Sequence, residues 1–144
     1  MRFMILVKAT GDSEAGVMPG EALFAAMADY HEQLAGAGVL LDASGLQPSS
    51  KGWRIKYSGG KRSIVDGPFT ESKELIAGYT LIQVKSREEA LEWAKRMPNP
   101  HISEGEIEIR QLYELEDFGQ SAQVDRFRKI GVGGPGGAEG SAGR

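Results

Sequence analysis

"RFMILV" at residues 2–7 and "GYTLIQV" at residues 78–84 are the stretches on which the fold turns. Successive side chains of a β-strand point to opposite faces. In the second stretch Tyr79, Leu81 and Gln83 fall on one face, and Thr80, Ile82 and Val84 on the other. The first is apolar throughout after Arg2. A strand that is apolar on both faces belongs in the middle of a sheet and needs cover on each side.

The cover is visible between and after these strands. Leu23, Met27, Tyr30, Leu34 and Ala37 recur at helical spacing, and Gly36 and Gly38 end the pattern. Val39-Leu40-Leu41 then starts a second strand that runs toward Pro48. Trp53, Ile55 and Tyr57 alternate with Arg54 and Lys56, which describes a strand with one face wet. Ser58-Gly59-Gly60-Lys61 is a hairpin turn, and Arg62 to Val65 is its return strand. Ser86 and Glu89 have capping-box spacing ahead of a helix with Ala90, Trp93, Ala94 and Met97 on its inner stripe. Pro98-Asn99-Pro100 stops that helix, and Glu106 to Tyr113 forms the last strand.

The order is βαββαβ with an inserted hairpin, which predicts an α+β, ferredoxin-like chain over residues 1–117. Two helices cover one face of a four-stranded sheet. The uncovered face predicts a homodimer, a dimeric α+β barrel-type assembly with a cavity between facing sheets. Residues 118–130 are expected to hold a short C-terminal helix bearing Val124 and Phe127. The Gly-rich tail at 131–144 is expected to be disordered, because it has little apolar surface to offset its backbone entropy.

Composition narrows the function. The chain has 144 residues, a net charge of −3 and no cysteine. That excludes disulfides, thiolate nucleophiles and cysteine zinc sites, and it argues against nucleic acid as a partner. The apolar start, MRFMILVKAT, is too short to span a membrane and lacks the layout of a signal peptide, so a cytoplasmic protein is expected. There is no GxGxxG, Walker or GxSxG pattern and no HxH or HExxH spacing, so neither a cofactor nor a metal is expected.

The candidate site residues come from three places. His31 sits on the flank of the first helix stripe, either as a half-buried structural histidine or as a general acid/base. His101 follows the rigid Pro-Asn-Pro and reads as exposed loop. "DGPFTESKE" at 66–74 combines turn residues with a ring and charges. Gly67 and Pro68 shape it, Phe69 anchors it in the core, and Asp66, Glu71 and Lys73 stand at a cavity mouth. Lys51, Arg54, Lys56, Lys61, Arg62 and Lys73 form a basic cluster, read either as a solvated strand face or as an anion-binding patch.

DGPFTESKE followed by Leu75-Ile76-Ala77-Gly78-Tyr79 resembles the signature of DGPF-domain proteins, a branch of the YCII-related superfamily. MRFMILVKAT, "AGVL" at 37–40, "GLQPSSKG" at 45–52 and "MPNPH" at 97–101 resemble the same branch. The resemblance implies a ferredoxin-like chain that dimerises into a barrel. It also implies a helix histidine paired with an aspartate near the helix end. His31 stands at the histidine position; Gly36 and Ala37 stand where the aspartate is expected, and Asp42 is the nearest acid. The expected function is binding of a small molecule, an anion among the candidates, in the inter-sheet cavity. Any catalysis would be cofactor-independent acid/base work such as isomerisation or elimination. His31 would shuttle the proton, Asp66 would orient or receive it, and Arg54 or Lys73 would stabilise an oxyanion; Phe69 and Glu71 complete the ligand-binding set. The rival reading, also implied by the resemblance, is a regulatory protein whose partner is an extracytoplasmic-function sigma factor.

Overall fold

The computed structural model describes residues 1–134. The chain divides into two compact units, Met1–Gln111 and a C-terminal unit from Leu112. The first unit holds strands β1 (Arg2–Lys8), β2 (Leu40–Gly45), β3 (Trp53–Ser58), β4 (Lys61–Asp66), β5 (Ile76–Gln83) and β6 (Ile107–Gln111). Its helices are α1 (Gly11–Glu14), α2 (Glu21–Gly36) and α3 (Arg87–Lys95).

Four strands make one antiparallel sheet in the order β2-β5-β1-β6, so β1 is central and antiparallel to both neighbours. Each strand–helix–strand unit is thereby split by a strand of the other. Phe3 faces Ile82 and Ile5 faces Thr80 across β1 and β5, and residues directly opposite share a face. Phe3, Ile5 and Ile82 form one buried cluster with Tyr30 and Leu34 of α2 and with Ala90 and Ala94 of α3. Both helices therefore lie on that face. Met4, Leu6, Tyr79 and Leu81 point the other way and are only half-buried.

Local capping sets the helix starts. Ser86 accepts the Glu89 N–H at 3.1 Å, which begins α3 as its spacing predicts. α1 is only four residues long. Thr10 and Ser13 cap each other's backbone there, and so short a turn leaves no apolar stripe to read.

β3 and β4 pair only with each other, as a separate two-stranded sheet. The dry face expected for this hairpin is open in the chain. Trp53, Tyr57 and Ile64 are 65%, 70% and 70% exposed. Their register puts Trp53, Ile55, Tyr57 and Ile64 on one face, with Arg54, Lys56 and Val65 on the other.

In the C-terminal unit a 3₁₀ turn spans Leu115–Phe118, and helix α4 spans Ala122–Lys129. Ser121 caps α4 by accepting the Val124 N–H at 3.2 Å. Val124 is buried and Phe127 is half-exposed. Of the tail expected to be disordered, residues 135–144 lie outside the described residues. Among the described residues no helix is long and apolar enough to cross a membrane.

Tyr30 shows how the core holds α2 to α3. Its hydroxyl donates to the Trp93 carbonyl at 2.7 Å. Burial pushes the phenol up to about 12, against a smaller downward pull from the Arg96 charge. The folded state thus favours the neutral phenol. That contribution is fully present below about pH 10 and is lost as pH rises through about 12. Tyr30→Phe should cost about 1 kcal/mol at neutral pH, because the Trp93 carbonyl loses its donor. It should also lessen the alkaline loss of stability, as read by urea unfolding on either side of pH 10.

Candidate functional site

On α2, Met27 and His31 are one helical turn apart, and the His31 Nδ1 lies 2.7 Å from the Met27 carbonyl oxygen. A carbonyl oxygen can only accept, so Nδ1 carries the hydrogen. The other nitrogen, Nε2, then has its lone pair in the neutral ring. It lies 2.8 Å from Oγ1 of Thr80, whose hydroxyl donates to it. Thr80 is 2% exposed and stands on the helix-facing side of β5. If His31 gains a proton, the same two oxygens accept both of its N–H groups. Both ring nitrogens of His31 are therefore paired, one with a backbone carbonyl and one with a hydroxyl.

His31 and Thr80 form one wall of a cleft of about 640 Å³. Leu23, Phe24 and Met27 of α2 line it together with Val17, Met18 and Ile102. Asp12 is the one charged residue of the lining, which contains no lysine or arginine. The volume suits a drug-sized organic molecule, and the lining combines apolar surface with a few polar groups.

His101 is not the exposed loop residue that the sequence suggests. It is half-buried, lines the same cleft, and places its Nε2 2.7 Å from the Lys8 carbonyl oxygen. Asp42, the acid nearest the expected aspartate position, is not a partner of His31. β2 sets it opposite Leu81, on the sheet face away from Thr80. There it accepts the Tyr79 hydroxyl and the Ala43 N–H, each at 2.8 Å.

A second cleft, of about 470 Å³, lies beyond Leu46, Gln47 and Pro48, which line both. It holds Glu14, Lys51, Arg54 and Phe69. Phe69 is half-buried rather than sunk in the core, and the Arg54 guanidinium stacks 3.7 Å from its ring centroid. The turn carrying Phe69 is tied down by Ser49. The Ser49 N–H donates to Glu14 Oε2 at 2.8 Å, its hydroxyl donates to Glu14 Oε1, and the Phe69 N–H donates to the Ser49 hydroxyl oxygen at 3.0 Å. Asp66, Glu71 and Lys73 are exposed and line neither cleft. The structure thus joins Arg54 to Phe69, sets His31 in the neighbouring cleft, and leaves those three on the surface.

Thr80 is the residue that sequence reasoning missed. Its signal was present: a hydroxyl on the same face as Ile82 and Val84, where a core position would take another apolar side chain. Among the described residues no group of three or more His, Asp or Glu side chains is placed to hold a metal ion.

This antiparallel α+β unit, with a histidine–threonine pair in an apolar cleft, defines a small domain of a four-stranded sheet and a separate hairpin, built around a candidate binding site. Residues 1–116 match the YCII-related domain, and the chain belongs to that family. It is also 37% identical over 76 residues to uncharacterized protein R00369 of Rhizobium meliloti (strain 1021), covering 53% of this chain and 61% of that protein. Among solved structures it is similar to 5-chloro-2-hydroxyhydroquinone dehydrochlorinase of Burkholderia phenoliruptrix AC1100, determined with 2,5-dihydroxybenzoquinone. That likeness has a TM-score of 0.39 and 13% identity, over 79% of this chain and 95% of the other.

The DGPF turn can be separated into backbone and charge. A Cβ on Gly67 would lie 2.6 Å from the Ser49 carbonyl carbon, inside its van der Waals surface. Gly67→Ala should therefore destabilise by about 1–3 kcal/mol, as overpacking does. Asp66→Asn, on the exposed end of β4, should stay within about 0.5 kcal/mol of the parent. Chemical denaturation of the two variants checks both values.

Proposed function

We propose that this chain is a DGPF-type, ferredoxin-like homodimer that binds a small, largely apolar organic molecule in the cleft beneath α2. His31, paired with Thr80, then performs cofactor-independent acid/base chemistry on it. The observation that carries this reading is the His31 ring, held between the Met27 carbonyl and the Thr80 hydroxyl at the wall of a cleft of about 640 Å³. Thr80 can take a proton from a ligand hydroxyl or activated C–H while passing its own to Nε2. The ligand loses one proton, Thr80 is restored, and His31 becomes an imidazolium with both N–H groups accepted. Return of the proton to another ligand atom completes an isomerisation; loss of a leaving group completes an elimination. Arg54 stands in the adjoining cleft, where it can meet an acidic substituent that extends past Pro48. Asp66 and Lys73 have no part in this scheme.

The homodimer reading is supported by two open apolar surfaces, the half-buried Met4, Leu6, Tyr79 and Leu81 face of the sheet and the exposed hairpin face. The same open surfaces are what a regulatory partner such as a sigma factor would use, and they are the observation that favours that second reading.

Sedimentation at micromolar concentration should give about twice the 15.5 kDa chain mass. A monomer would remove the dimer from this account. For the site, small aromatic and cyclic compounds should raise the melting temperature of the parent. At about a hundredfold excess over Kd a cleft ligand adds about 2.7 kcal/mol. Ala28→Trp, which fills the cleft from α2, should abolish that rise. On any ligand that is turned over, His31→Gln should lower kcat by about a hundredfold or more. Unchanged turnover in that variant would sink the acid/base role.

A further inference from the structure

His101 differs from His31 in a way that matters for chemistry. Both rings have their tautomer set by a backbone carbonyl, but by opposite nitrogens. In His31 the Met27 carbonyl takes the Nδ1 hydrogen, and the remaining lone pair on Nε2 is already occupied by the Thr80 hydroxyl. In His101 the Lys8 carbonyl takes the Nε2 hydrogen at 2.7 Å, so the lone pair sits on Nδ1. No described residue donates to that nitrogen.

The loop around His101 is built to hold the ring. Asn99 Oδ1 accepts the His101 N–H at 3.0 Å, and Asn99 Nδ2 donates to the Ser103 carbonyl at 2.7 Å. Gly105 closes against the ring edge, since a Cβ there would come within 3.1 Å of the His101 Cδ2. A flexible surface histidine has no need of such a mount. This one lines the same cleft as His31 and is only half-buried. Asp12 is the single carboxylate of the lining, which holds no lysine or arginine.

We propose that His101 is a further catalytic residue of this cleft, its Nδ1 being the base that meets the ligand directly. The ligand class follows. It is a mainly apolar ring that carries one weakly acidic hydroxyl, a phenol or an enol. Its O–H bond breaks, the proton moves to Nδ1, and the resulting imidazolium keeps its Nε2–H on the Lys8 carbonyl. The anionic ligand oxygen then rests beside the imidazolium within an apolar wall. This inference rests on the cleft proposed above as the ligand site. It adds a second basic group at that site, with His31 and Thr80 left to handle a proton elsewhere on the bound molecule.

The test uses 4-nitrophenol, whose phenolate absorbs visibly while the phenol does not. It is titrated against the full chain at a pH below the probe's own ionisation. The parent should bind the probe and raise the phenolate absorbance. His101→Gln keeps a donor in reach of the Lys8 carbonyl but removes the basic Nδ1. It should hold the parent's melting temperature, lose the phenolate signal, and bind about tenfold or more weakly. Ala28→Trp should bind no probe. If His101→Gln retains the parent's signal while Ala28→Trp loses it, the cleft reading stands and the role of His101 is overturned. If the parent binds no probe, or if Ala28→Trp binds as well as the parent, the cleft reading and this inference fall together.

Discussion

Everything in the first unit depends on burying one face of the β1–β5 pair. Phe3 against Ile82 and Ile5 beside Thr80 make a strip that water must leave, and α2 and α3 are the elements that close it. That closure fixes the rotation of α2. With Tyr30 and Leu34 committed to the core, His31 has to lie beside them, on the edge of the helix nearest β5. Its contact with Thr80 is therefore a consequence of packing. The hydrogen bond to the Met27 carbonyl then selects which nitrogen is left to accept.

A polar group this close to a core usually marks a cost, because an unpaired buried donor or acceptor loses its water without compensation. Here Thr80 and His31 satisfy each other, and no buried side-chain polar atom among the described residues lacks a partner. The pair therefore persists at little cost to stability and gives the adjoining cleft a titratable wall. Ordinary core chemistry would have put valine at position 80. The departure from that pattern, rather than any motif, is the strongest functional signal in the chain.

Much of the scaffold was legible in the sequence, because strands and helices announce themselves through local periodicity. The stripe from Leu23 to Leu34 and the alternation in 78–83 each lie within one element, and the cap at Ser86 adjoins the helix that it starts. The site was less legible because it is made of long-range contacts. His31 and Thr80 are 49 residues apart, and Lys8 and His101 are 93 apart. Nothing local distinguishes His101 from a loop histidine until β1 brings the Lys8 carbonyl to it. The DGPF stretch is a further case. Its charges read as a rim, yet its backbone carries the contacts, through Gly67 against Ser49 and the Phe69 N–H on the Ser49 hydroxyl. Phe69 was expected to fill the core, but Arg54 on the neighbouring strand offers its ring a cationic lid at the surface instead.

The central claim is that His31 stands at the cleft with Nδ1 protonated and an Nε2 lone pair held by Thr80. Long-range ¹⁵N–¹H correlation of the imidazole rings measures this directly, at a pH where His31 is neutral. The account predicts a hydrogen on Nδ1, an unprotonated Nε2, and a shift of the Nε2 resonance in Thr80→Val that exceeds any change at His101. A neutral His31 with its hydrogen on Nε2, or an Nε2 resonance indifferent to the loss of the Thr80 hydroxyl, would contradict it.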